Sequence, residues 1–409
     1  MSGHFSSSVA DTLMACRVLV VHNAYQHRGG EDSVVDAEIA LLRSHGHGVE
    51  TYFRNNDDVT GMSSLTLAQH TLWSPRTVSN LSELIRRFQP DIIHAHNTFP
   101  LISPSLYWVA ERAGVPVVQT LHNFRLICLN ALFLREGKVC EDCIGKQPWR
   151  GVVRACYRGS RPASAALAGM LSLHRGLGTY RHKVARYIAL NKFCQDKFIK
   201  GGLPVERVLV KPNFVNWAEV HTHPSVLSDA EREREEWLFV GRLSVEKGVA
   251  ILAQAMALLS GTRLRVVGDG PEATVLDGVV GVTHLGSLPS DAVRQEMSRI
   301  TALVVPSICY ETFGLVAIEA FACGTPVIAS RIGALAELVC DGETGLLFEP
   351  GNARDLADKM IWAQAHPEEM AVMGRKARVQ YENEFSAEVN YRRLMEIYDG
   401  VLKECRADL

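Results

Sequence analysis

From Arg17 onward the apolar positions fall into short β-branched runs separated by longer amphipathic stretches: RVLVVHN, then 31–45, VETYF, 79–89, DIIHAH, 103–112 and VPVVQTLH. Short runs alternating with stretches of helical period predict βαβ units on a parallel sheet. An irregular insert follows over 123–161, and an Ala/Leu-rich stretch, 162–181, predicts a helix that leads to a further strand, ARYIAL. A first domain is expected over 16–215, behind a disordered tail at 1–15.

Residues 216–235 carry Pro224, two serines and the run EREREE, which suits a solvated linker better than a core element. The same rhythm then restarts in WLFVGRL, 246–259, RLRVVGDG, VTHLG, 290–299, TALVVPS, 314–323, TPVIAS and TGLLF. These predict a second doubly wound sheet over 236–385. The tail from about 352 reads as successive helices, with 386–409 expected to return onto the first domain. The expected class is α/β, with two Rossmann-like domains facing across a cleft, where ligands commonly bind.

With 409 residues the chain exceeds one ordinary core, and 47% hydrophobic against 22% charged residues places it among globular rather than disordered chains. A formal charge of −2 excludes a globally basic nucleic-acid binder. Residues 1–15 lack a signal-peptide pattern and no uncharged apolar run is long enough to span a bilayer, so a cytoplasmic protein is expected. Ten cysteines without an export signal do not suggest a disulfide framework.

Candidate chemistry concentrates at predicted strand ends. Gly268 and Gly270, in VVGDGP, let backbone approach a ligand closely. Arg242 and Lys247, in GRLSVEKG, follow a strand whose carboxyl end opens on the crevice, and together suit a diphosphate; two solvated surface cations are the alternative. Glu311 and Glu319 fall in a loop and in the helix after it, so that one crevice can receive both. The amides of Phe313, Gly314 and Leu315 sit at that helix's start, where unpaired donors and the dipole favour anions.

The blocks GRLSVEKG, VVGDGP, HLGSLP, VVPS, ETFGLVAIEAFACGTPVIAS and DGETGLLFEPG resemble glycosyltransferase family 4, in that order, over 237–351. HNAYQHRGGED, IIHAHN and LHNFRLIC extend the resemblance through the first half. It implies the GT-B fold and a retaining transferase moving a sugar from a nucleotide sugar. By motif position, Arg242 and Lys247 would bind the donor diphosphate, Glu319 the ribose and Glu311 the transferred sugar. The amides near Gly314 and Leu315 would complete the sugar-phosphate site. His122 would contact the sugar near the reacting centre, and the Gly29–Gly30 loop would approach donor and acceptor from across the cleft. Where the family often has a second glycine after Gly333, this chain has Ala334.

No Asp-x-Asp pair occurs, so the usual carboxylate anchor for a divalent ion is missing and no catalytic metal is expected. A UDP- or GDP-sugar is the expected donor. Cys128, Cys140, Cys143 and Cys156, spaced C-x11-C-x2-C-x12-C, suit a structural zinc site, with free core cysteines or a redox pair as alternatives. From Cys143 to Gln195 there are ten Lys or Arg and no Asp or Glu. With Trp149 and Tyr157 nearby, that stretch suits an anionic membrane surface and a polyprenyl-diphosphate-linked or glycan acceptor, against a plain solvated basic face. The setting expected is polysaccharide or glycolipid assembly at the inner face of the cytoplasmic membrane. The rivals are a non-catalytic nucleotide-sugar-binding protein and another GT-B enzyme, such as an epimerase or a phosphorylase.

Overall fold

The computed structural model describes residues 15–26, 28–216 and 236–407. The expected tail (1–15) and linker (216–235) lie outside the described residues except for Ala15 and Asn216. The first sheet contains β1 (Arg17–Ala24), β2 (Gly48–Asn55), β3 (Ile92–Ala95) and β4 (Val117–Thr120). A hairpin, β5 (Leu134–Arg135) and β6 (Lys138–Val139), belongs to the insert, and β7 (Arg186–Ala189) and β8 (Val208–Val210) complete the sheet. Its order is β2-β1-β3-β4-β7-β8 and every pairing is parallel.

The second sheet contains β9 (Glu236–Val240), β10 (Arg263–Val267), β11 (Val282–Gly286), β12 (Ala302–Val305), β13 (Val327–Ser330) and β14 (Gly345–Phe348). Its order, β11-β10-β9-β12-β13-β14, is again parallel. Strands buried on both faces explain why VLVV, ALVV and VIAS read as continuous apolar runs rather than alternating ones. In each sheet the order reverses once, between β1 and β3 and between β9 and β12. Ligands of such sheets bind outside the strand carboxyl ends at that reversal.

The chain crosses between the domains twice, and the two crossings touch. Val215 N donates to Phe385 O at 3.3 Å, and the Tyr381 hydroxyl donates to Val215 O at 3.0 Å. Beyond that point the helix Ala387–Ala407 lies on the first domain. Its Leu394, Met395, Tyr398 and Val401 are buried with Val18, Val20, Val35 and Leu42. Each fully buried side chain of that size contributes about 1.5–3 kcal/mol.

The expected helix over 246–259 is broken. Val245–Lys247 forms a 3-10 turn and the α-helix runs only over Val249–Met256, because Gly248 between them has φ +72°. A Cβ there would stand 1.9 Å from Pro306 O, so the close approach of the β12 loop, rather than helix propensity, decides the local path.

Candidate active site

The reversal in the second sheet gathers the predicted donor residues. Lys247 follows β9 and Glu311 follows β12; Lys247 Nζ donates to Glu311 Oε1 at 2.6 Å, and the Ser307 hydroxyl donates to the same oxygen at 2.7 Å. Burial opposes both charges, yet each group holds the other ionised. The Lys247 ammonium, with Ser307, keeps the Glu311 carboxyl below its usual range, and Glu311 raises the Lys247 ammonium above its own. Arg242, in the same loop, is exposed and makes no ion pair with a described residue. An ammonium already paired and a free guanidinium thus stand one loop apart.

Gly268 and Gly270 serve a packing role. A Cβ on either would lie 2.0 Å from Gly241 O or 2.2 Å from Leu243 O, so these glycines let the β10 loop close on the loop that carries Arg242. Gly314, at φ +90°, caps the helix Leu315–Ala322 and Phe313 buries its ring against Phe385, leaving the helix start to Leu315. Glu319, inside that helix, has its carboxyl pushed up by burial to about 7, with Arg294 pulling the other way.

Across the cleft, Gly29 precedes the helix Gly30–Ser44, and the Asp32 carboxylate accepts from Gly29 N at 2.9 Å. A Cβ on Gly30 would stand 3.5 Å from Leu315 Cδ2. Two helix N-termini, one from each domain, therefore face each other, both suited to an anion. His122 follows β4 on the same side. Its carbonyl accepts from the Thr312 hydroxyl at 2.8 Å, and Asn191 Nδ2 donates to Thr312 O at 2.7 Å, tying the β4 loop to the segment beside Glu311.

Behind His122 lies a buried network that no sequence motif announced as one unit. His122 Nε2 is 2.9 Å from His96 Nδ1, and His96 Nε2 faces Glu38 Oε1 at 3.4 Å. Burial favours the neutral acid of Glu38, but Lys211 at 3.2 Å and His94 at 2.9 Å hold it well below the usual carboxylate range. Burial also drives His96 down to about 3 and His122 well below its ordinary value, so both rings are neutral. His96 Nε2 and Glu38 Oε1 are both buried without a hydrogen-bond partner, and a proton on that nitrogen would face the carboxylate. In that tautomer His96 Nδ1 would accept from His122 Nε2–H, leaving His122 Nδ1 as an acceptor. The signal for this network was the alternation in IIHAHN, whose two histidines, two residues apart on extended backbone, fall on one face and stack at 4.3 Å.

Glu31 follows the Gly29–Gly30 pair in HNAYQHRGGED. It accepts from the Tyr25 hydroxyl at 2.9 Å and Asn123 Nδ2 at 3.5 Å, its Oε1 is buried without a partner, and burial raises it to about 7.

Among the described residues, Glu38, His94 and His96 form the one triple whose donor atoms all lie within 4.8 Å. Lys211, which donates to Glu38 Oε2 and at 2.9 Å to Asn390 Oδ1, already supplies the cation there. The four insert cysteines line one cavity, but no three of their sulfurs meet that same distance. The basic stretch is partly internal. Arg150 and Arg154 pair with Asp142, Lys183 with Glu111, Arg186 with Glu404, and Arg175 donates to Leu126 O and Lys146 O.

Two family models match, Glycosyltransferase Family 4 over residues 28–219 and Glycosyl transferases group 1 over 234–366. The D-inositol 3-phosphate glycosyltransferase of Arthrobacter sp. (strain FB24) is 34% identical over 327 residues, covering 72% of this chain and 68% of that protein. The sulfoquinovosyl transferase of Arabidopsis thaliana is 27% identical over 315 residues, 76% of this chain but only 56% of that longer protein. Among solved structures, Anabaena HepE in complex with UDP superposes with a TM-score of 0.67 at 20% identity, covering 94% of this chain and 100% of that one. The sucrose-phosphate synthase of Thermosynechococcus elongatus gives 0.69 at 20%, covering 95% and 100%. With two facing parallel sheets and this match along both halves, the chain belongs to glycosyltransferase family 4 and is a glycosyltransferase of the GT-B fold.

Proposed function

We propose that the protein is a retaining transferase that moves a sugar from a UDP- or GDP-sugar to a glycan or polyprenyl-diphosphate-linked acceptor in polysaccharide or glycolipid assembly. One observation carries the donor half: the Lys247–Glu311 pair stands at a sheet reversal, opposite a second helix N-terminus. Arg242 and Lys247 hold the donor diphosphate with the amides of Gly314 and Leu315, and Gly29–Gly30 approach it from across the cleft. Glu319 accepts from the ribose hydroxyls, while Glu311 and His122 Nδ1 accept from hydroxyls of the transferred sugar.

No catalytic metal enters this reading, because the cations and helix ends supply the charge that stabilises the departing diphosphate. As the bond from the anomeric carbon to the phosphate oxygen breaks, the acceptor oxygen bonds to that carbon on the same face. Its proton passes to the departing phosphate. Glu31, beside Asn123 with an unpartnered oxygen, positions the acceptor hydroxyl. Support for a UDP-linked donor comes from HepE, which was crystallised with UDP and with UDP-glucose.

The acceptor half rests on the exposed Trp149, Val153, Leu173 and Leu177, which lie amid the basic stretch and suit peripheral contact with anionic lipid. No helix among the described residues is long and apolar enough to cross a membrane.

The test is a panel of nucleotide sugars, following nucleoside diphosphate release with and without lipid-linked acceptors, and NMR of the product anomer. Transfer with retention is expected from one donor, and inversion or epimer exchange without transfer would overturn the reading. Co-sedimentation with anionic vesicles, weakened by salt, is expected for the membrane face.

A further inference from the structure

The insert between β4 and the helix Arg161–Gly176 has almost no regular structure of its own: a two-strand hairpin, a 3-10 turn and the short helix Trp149–Val153. Among the described residues, five of the seven non-glycine residues at positive φ fall inside it, namely Ala131, Phe133, Glu136, Ala155 and Arg158. A segment of that kind needs an internal tie, and no disulfide supplies one.

Cys128, Cys140, Cys143 and Cys156, drawn from three separate places in this segment, all line one small cavity of about 20 Å³. That is room for a single ion or water. The rest of the lining contains Leu129, Phe133 and Leu134 together with Asn130, whose Oδ1 accepts from Cys128 Sγ at 2.9 Å.

Two features prepare the sulfurs to carry charge. The amides of Phe133, Asn130 and Ala131 point at Cys128, and that of Gly151 points at Cys143. Gly151 itself can approach because a Cβ there would lie 2.7 Å from Leu129 Cδ1. Arg135 and Arg154 also line the cavity, with Arg154 Nη1 3.8 Å from Cys140 Sγ. A divalent cation would bond the four sulfurs as thiolates, in a lining that also brings two guanidiniums close, Arg154 already paired with Asp142 and Arg135 with Glu136.

We propose that these four cysteines bind one structural Zn²⁺. Binding releases the thiol protons and draws the sulfurs from their present spacing to the edge of about 3.8 Å that four Zn–S bonds of 2.3 Å require. The C-x2-C turn that provides Cys140 and Cys143 closes with Gly145 at φ +65°.

Its position gives the ion a task. Glu141, inside the turn, accepts from the Tyr310 hydroxyl at 2.9 Å and pairs with Lys197, while the Phe133 ring meets the Tyr310 ring at 5.9 Å. Tyr310 is the residue before Glu311. The zinc turn therefore braces the contact between the insert and the donor side of the cleft.

Metal analysis of the full chain, purified reduced and without added metal, is expected to give close to one zinc per chain, released in step with mercurial capture of four thiols. Cobalt(II) exchanged into the same protein is expected to show sulfur-to-metal charge transfer and the strong visible bands of a tetrahedral tetrathiolate. Strong chelation is expected to lower the unfolding midpoint. Cys140→Ser with Cys143→Ser should abolish the cobalt spectrum, and Glu141→Gln should keep the zinc. Because the cysteine variants can fail to fold, the wild-type cobalt spectrum decides. Absence of both zinc and the charge-transfer band, iron in its place, or a Cys140–Cys143 disulfide in the metal-free protein would overturn the proposal, whatever becomes of the donor assignment.

Discussion

At the scale of single residues, the Lys247–Glu311 pair makes the first outcome sharp. Lys247→Ala removes the charge that offsets the departing diphosphate, and kcat is expected to fall by roughly two orders of magnitude. The variant also strips Glu311 of its partner, so the Glu311 carboxyl should rise, which a pH–rate profile displaced upward would show. Glu319 gives a second test. Its folded value of about 7 stands above the ordinary 4.5, so between those values the folded protein holds a proton that the unfolded chain releases. That contribution to stability is present at low pH and is lost as pH rises toward 7. Thermal melts are expected to show the wild type losing ground to Glu319→Gln from pH 5 to pH 8. Donor affinity should move the opposite way, strengthening through that range, since only the carboxylate accepts two ribose hydroxyls. Residue types after strand ends marked Arg242, Lys247 and Glu311 as candidates in the sequence, with Glu319 in the helix that follows. What it did not show was that Lys247 is already paired and Arg242 is not, because pairing depends on which loops the sheet order makes neighbours.

At the scale of elements, apolar periodicity located the strands and most helices, since burial on both faces of a parallel sheet leaves a strong imprint on sequence. The failures were local and had tertiary causes. The helix expected over 246–259 begins instead at Val249, because Gly248 admits the backbone of Pro306. Gly248→Ala combines a left-handed backbone with a Cβ only 1.9 Å from the Pro306 backbone carbonyl oxygen. A loss of several kcal/mol, of the size seen for overpacked or strained sites, about 2–4, is expected in chemical denaturation. Activity at saturating donor should also suffer, because the same turn aims Lys247. The strand Val208–Val210 and the helix Ser64–Leu72 were not expected at all. Both are short, and Leu65 at 81% exposure shows that the helix has little of the buried stripe that periodicity detects.

For the whole molecule, the deciding feature is the return of the last helix to the first domain. Residues 390–401 cover the face of β1, and their polar groups complete the network behind His122. Asn390 accepts from Lys211 and donates to Pro212 O at 2.6 Å, and the Tyr398 hydroxyl lies 2.7 Å from His94 Nδ1. The first domain is therefore not a closed unit without the chain's last segment. Its histidine at the cleft depends on a charge balance, Glu38 against Lys211, with both side chains only 2% exposed. Removing one partner of such a pair strands the other. Lys211→Met is expected to cost about 3–5 kcal/mol. Glu38→Gln with Lys211→Met should recover much of that loss, since a pair of neutral side chains carries no unmet charge. Stability and catalysis separate in that double variant. If the carboxylate fixes the tautomer of His96 and through it that of His122, the folded double variant will retain nucleotide binding measured by thermal shift, yet transfer sugar more slowly than wild type at saturating donor. Equal turnover in a stable double variant would leave Glu38 a purely structural charge.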